Sequence, residues 1–168
     1  MKKCKNISLI LVSTVFVFAF NANTFALSKK QQNKIATNCS SIKDTLKSIQ
    51  HSDSYSRVYL ESEYSEIFNN YIAPMNTRMQ NNGIIHKELS ENQEDFVETR
   101  SKFKADFITY SKQMETLINI DCENNPTEFY DQLEYVRISR NETNVDVEKM
   151  SNIISEHQLI VKKMKDNL

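Results

Sequence analysis

A chain of 168 residues with one glycine, Gly83, and two prolines, Pro74 and Pro126, has few places to turn. Glycine-rich phosphate loops, the G-x-S-x-G nucleophile elbow and the EF-hand loop all need glycine where the backbone takes positive φ or approaches a ligand closely. Sheet proteins need it in their tight turns as well. The expectation is therefore an all-α chain with few, well-marked breaks.

The first 26 residues read as a segment apart. Met1-Lys2-Lys3-Cys4-Lys5 is a basic start, Ile7 to Phe20 is a 14-residue run that is apolar except for two serines and a threonine, and Thr24-Phe25-Ala26 ends it with small residues at the two positions a signal peptidase reads. This is the layout of a secretory signal peptide, residues 1–26, cleaved after Ala26. The other reading is an uncleaved anchor, but 14 helical residues rise about 21 Å against a hydrocarbon core of roughly 30 Å. The mature domain, residues 27–168, is then expected outside the cytoplasm, secreted or in the periplasm or at the cell surface, with no stable membrane anchor.

Removal of the leader takes three lysines and no acid, so the formal charge falls from −1 to −4. Nucleic acid is not an expected partner, because phosphate neutralisation by cations supplies most of that affinity. Cys39 and Cys122 are the two cysteines left, and in an exported chain an even count reads as one disulfide.

Three helices are expected, over about residues 28–73, 88–122 and 126–166. Ser28 and Gln31 can form a capping box, and Ser90 and Gln93 a second one. In the first helix the apolar seam is Ile35, Cys39, Ile42, Leu46, Ile49, then Leu60, Tyr64, Ile67, Tyr71. It weakens at His51-Ser52-Asp53-Ser54, so a break near Asp53 and a four-helix up-down bundle are the alternative. Pro74 should end or kink the helix, and Asn81-Asn82-Gly83 is the strongest turn signal. The second helix carries Phe96, Phe103, Phe107, Tyr110, Met114 and Leu117, with Ile108 and Ile118 widening the stripe. Asn125-Pro126 opens the third, whose seam runs Phe129, Leu133, Val136, Arg140, Thr143, Val147, Met150, Ile154, His157, Val161, Met164, Leu168, the four-and-three spacing of a coiled coil.

The cysteines bear on the topology. Across an antiparallel helix pair, facing residues have numbers that sum to a constant. Cys39 and Cys122 sum to 161, which centres the hairpin near the Asn81-Asn82-Gly83 turn. Reversal near Asp53 would instead leave the two thiols about 16 Å out of level, against a Cα–Cα limit near 7 Å for a bridge. The expected architecture is an elongated antiparallel three-helix bundle with a Cys39–Cys122 disulfide and residues 28–36 overhanging one end.

Candidate chemistry is sparse. His86-Lys87-Glu88 matches half of a zinc deaminase pattern, and the P-C-x-x-C half is absent. His51, His86 and His157 are far apart in sequence, and His157 sits on the third helix seam. Arg140 and Thr143 interrupt that seam, either as a polar layer or as a solvated stretch. Tyr55, Arg57 and Tyr59 form a candidate interaction face, since tyrosine and arginine favour interfaces. No two of the 22 acids stand out as a catalytic pair. No catalytic residue, metal ligand or cofactor is expected.

Cys39-Ser40-Ser41-Ile42, Arg57-Val58-Tyr59-Leu60, Ile72-Ala73-Pro74-Met75-Asn76, and Asp121-Cys122 followed by Pro126-Thr127-Glu128-Phe129-Tyr130 occur in one order. In these segments the chain resembles small exported helical proteins, functionally uncharacterised, of ultra-small candidate-phylum bacteria. The resemblance implies an extracytoplasmic helical protein with a paired cysteine framework, and brings no activity. The function expected is non-enzymatic, through contact with a protein partner in the envelope or outside the cell. A holdase-like module binding a peptide or lipid between its helices is the first alternative, and a cell-wall-directed enzyme the second.

Overall fold

Ser28 and Gln31 cap the first helix reciprocally, as the spacing of the pair requires. From there a computed structural model describes residues 27–166. The expected signal peptide, residues 1–26, and the seam residue Leu168 lie outside the described residues. The described chain is all-α, with no strand: α1 Lys29–Thr37, α2 Cys39–Ile67, a π-helical turn Phe68–Ile72, α3 Ala73–Asn81, α4 Lys87–Asn119 and α5 Pro126–Asp166.

The first arm, α1 to α3, departs from the expected single helix over 28–73 in two places. Asn38 leaves helical geometry (φ −108°, ψ 16°) and its side-chain amide donates to the Lys34 carbonyl, separating α1 from α2. The bend brings α1 into contact with α5, and Ile35 packs on the lower core, so residues 28–36 do not overhang freely. At the other end the arm does not stop at Ala73. Pro74 has no N–H and its ring would clash with a carbonyl one turn back. The widened turn relieves this: Ala73 N–H donates to Phe68 O, five residues back, and the helix continues through Pro74 to Asn81.

That extra residue resets the helical phase. Ile72, not Tyr71, follows Tyr64 and Ile67 into the core: Ile72 is 1% exposed and Tyr71 65%. No break occurs near Asp53, since α2 runs unbroken through it. The chain reverses after Asn82 instead. Gly83 takes φ +72°, Gly83 N–H bonds Gln80 O, and Ile84 N–H bonds Met79 O, a Schellman closure for which glycine is the natural residue.

Contacts between the first arm and α4 keep one register. Cys39 meets Cys122, Asp53 meets Tyr110, Glu61 meets Arg100 and Tyr64 meets Phe96, pairs whose numbers sum to between 160 and 163. The expected capping box at Ser90 does not form. Helix α4 starts earlier, at Lys87, while Ser90 Oγ bonds His86 O and Gln93 accepts from Asn76. Helix α4 also ends at Asn119, short of Cys122. Ile120 is extended (ψ 136°), and the Asp121 carboxylate draws in the N–H groups of Glu123 and Asn124, placing Cys122 in a turn. Helix α5 then begins at Pro126 as expected and runs antiparallel to α4, hence parallel to α2.

Apolar packing forms two clusters. The lower holds Cys39, Leu46, Met114, Leu117, Cys122 and Phe129; the upper holds Tyr64, Ile72, Phe96, Phe103, Met150 and Ile153. Ile108, expected on the α4 stripe, is exposed. On α5 the line facing α4 is Val136, Ser139, Thr143, Asp146, Met150, Ile153, His157 and Ile160. The expected positions Val147, Ile154 and Val161 are only half-buried, and Arg140 is exposed. They lie on the side of α5 that faces the first arm.

Candidate functional site

Helices α2 and α5 are parallel neighbours joined by side-chain contacts such as Asp53–Arg140 and Tyr64–Val147, with a furrow between them. Three hollows follow one another along it. The lowest, about 370 Å³, lies between Ile42, Leu46 and Ile49 of α2 and Leu133 and Val136 of α5. The middle one, only about 60 Å³, adjoins Asp53, Arg57, Tyr110 and Arg140. The uppermost, about 680 Å³, opens between the π-turn with α3 and the last third of α5.

The middle hollow is closed by a polar layer that ties all three arms together. Arg140 Nε and Nη2 donate to the two Asp53 carboxylate oxygens at 2.7 and 2.9 Å, and Tyr110 Oη donates to the same carboxylate. Burial opposes ionisation of Asp53, but the Arg140 and Tyr110 hydrogen bonds outweigh it and hold the carboxyl below its usual range. Burial, with the adjacent carboxylate, pushes the Tyr110 phenol up. Of the two readings of Arg140 in the seam, this geometry is the polar layer: it joins α2, α4 and α5 at one level. A second inter-arm pairing lies above it, where Arg100 and Lys104 converge on Glu61.

The candidate face Tyr55, Arg57, Tyr59 separates into two parts. Tyr55 and Tyr59 are 74% and 57% exposed, and Val58, which the sequence reading missed, joins them at 62%. Positions 55, 58 and 59 share one side of a helix, whereas two residues on from Tyr55 is about 200° around it. Arg57 accordingly turns inward, its guanidinium 5.6 Å from the Phe107 ring centre and its Nε buried without an acceptor. One turn from the trio, Ser52, Ser54, Ser56 and Ser62 carry no charge, while exposed Glu63, four residues on from Tyr59, borders it.

His157 is buried, and its Nδ1 lies 3.1 Å from Asn92 Oδ1. Asn92 Nδ2 donates to Ile153 O, so the amide oxygen is the atom facing the ring and Nδ1 must carry the hydrogen. Burial holds the imidazole pKa below its ordinary value. The folded protein therefore prefers neutral His157, while the unfolded chain takes up a proton near pH 6.5. Stability on this account is full above that pH and is lost as pH falls toward the folded-state value. The melting temperature should drop between pH 7.5 and 5.5, and H157Q should flatten the drop; parallel curves for the two proteins would refute the assignment.

Two acids do converge. Asp106 and Asp146 both contact Lys102 Nζ, at 2.6 and 2.9 Å. Burial pushes the Asp146 carboxyl up, with Lys102 opposing and Asp106 reinforcing the shift. Neither residue lines any of the three hollows. His86 sits at the start of α4 with its Nδ1 buried and unpartnered, and Glu88 is exposed. Among the described residues, no group of three His, Cys, Asp or Glu is placed to hold a metal ion. Cys39 and Cys122 are bridged, with Cα atoms 5.5 Å apart. No described helix is long and apolar enough to cross a membrane. No protein family, curated protein or solved structure matches the chain.

Proposed function

We propose that this protein is exported and acts without catalysis, by contact with a protein partner in the cell envelope or outside the cell, through the outward face of α2 at Tyr55, Val58 and Tyr59. The observation that carries the reading is the exposure of those three side chains, 74%, 62% and 57%, at adjacent positions of one helix face. Large apolar groups gathered on one exposed face, unlike scattered ones, mark interaction surfaces. Tyrosine adds contact area at low entropic cost. The polar layer and the disulfide support this face by fixing α2 against the other two arms, so that it is presented as a rigid surface. An extracytoplasmic location is supported by the Cys39–Cys122 bridge, because disulfides persist in oxidising compartments.

The test is a photo-crosslinking residue placed at Tyr59 and, as control, at exposed Ser155, in the protein produced by its own cell. A single stoichiometric adduct from position 59, absent from position 155 and lost when Tyr55 is changed to Asp, is the expected result. Equal adducts from both positions, or none from position 59, would overturn the proposal.

A further inference from the structure

The uppermost hollow of the furrow is a second feature, independent of the tyrosine face. It is about 680 Å³, within the 300–1,000 Å³ range typical of ligand pockets. Its apolar lining comes from Ile67, Ile72 and Met75 on one side and Ile154 and Val161 on the other. It opens where the π-turn and α3 face the last third of α5, and Ile154 and Val161 are left half-covered there.

Charge in this groove is polarised along its length. The parallel arms are in register at an offset of 83 to 87 residues, fixed by the Tyr64–Val147 and Asp53–Arg140 contacts. Arg78 is the last residue the first arm gives to the lining and Lys162 and Lys165 are the last two from α5, so in parallel arms the three lie toward the same end. Ile67 and Ile154 mark the opposite end, about 16 Å away at 1.5 Å per residue. All three cations of the lining thus gather at one end, and no carboxylate lines the groove. Among the described residues, none of the three has a carboxylate within 4 Å.

We propose that this groove binds a long-chain fatty acid, its tail along the apolar walls and its carboxylate among Arg78, Lys162 and Lys165. One anionic head and a tail without polar atoms is the chemistry that a cationic end and an apolar remainder complement. An extended peptide suits the groove less well. Five residues would span those 16 Å and bring about ten backbone polar groups, whereas apart from the cations the groove offers only Asn70, Tyr71, His157 and Gln158 as partners. An acidic amphipathic helix would call for cations along the groove's edges rather than at one end.

The experiment titrates the mature, oxidised protein with a fluorescent fatty acid and displaces the probe with hexadecanoate. The chain has no tryptophan to interfere with the fluorescence. Saturable one-site binding is expected, weakened at least tenfold by K162E/K165E and by Met75→Asp, with the melting curves of both variants recorded to show that they fold. Methyl hexadecanoate, which has no charge, should bind the parent and K162E/K165E alike. Absence of saturable binding, or binding of hexadecanoate indifferent to K162E/K165E, would overturn the proposal. So would displacement of the probe by an acidic amphipathic peptide but not by hexadecanoate, or a groove closed by self-association of the ligand-free protein.

Discussion

Replacing Cys39 and Cys122 with serine is expected to destabilise the fold by about 4 kcal/mol, from the loop-closure entropy returned to the unfolded chain. The bridge spans a sequence separation of 83 residues, long enough for the entropic effect to be near its upper range. For a domain of this size the loss corresponds to a fall in melting temperature of roughly 12–16 °C. Because one bond is lost whichever cysteine is changed, C39S, C122S and the double variant should lose the same amount, a non-additivity that thermal unfolding of the three would reveal. Three melting temperatures near that of the parent would mean that the bridge does not constrain the unfolded chain.

Phe96→Ala should cost as much again, about 4 kcal/mol. Phe96 is fully buried, lies parallel to Phe68 at 5.6 Å between ring centres, and meets Tyr64 edge-on at 6.2 Å. Its removal leaves a cavity where the first arm, α4 and α5 converge, and loosens Tyr64, whose hydroxyl donates to Val147 O. Urea unfolding followed by circular dichroism measures the loss. Tyr55→Ala is the comparison: at 74% exposure it should change stability by less than about 0.5 kcal/mol. Equal losses in the two variants would contradict the assignment of core and face.

The sequence carries this division of labour unevenly. The hairpin register was legible because two cysteines and one Asn-Gly turn constrain a single arithmetic relation, and Cys39–Cys122, Glu61–Arg100 and Tyr64–Phe96 all obey it. Pro74 was legible as a perturbation but not as to its kind. A proline can end a helix, kink it or be absorbed by a widened turn, and the choice depends on what the following turn packs against. Here Asn76 is buried and donates to Leu89 O and Gln93, which holds α3 on the start of α4. The exchange of Tyr71 for Ile72 follows from that widened turn and from nothing in the local pattern.

On α5, two buried positions absent from the expected seam, Ser139 and Asp146, are polar, so hydropathy hid them. Their partners, Gln113 and Lys102, lie on α4, and only the packed pair makes their burial intelligible. The groove was hidden for the same reason. Lys162 and Lys165 stand near the negative C-terminal end of α5, where cations are ordinary in any helix, and only the parallel packing of the arms brings Arg78 into the same hollow.

The proposals of a contact face and a groove rest on the proposed export and on the clamped fold, and one measurement bears on both most directly: intact mass spectrometry of protein collected from the cell envelope and the medium, alkylated before any reduction. The expected species begins at Leu27 and carries no alkyl group on Cys39 or Cys122. A species that retains Met1, or one alkylated at both cysteines, would contradict the account.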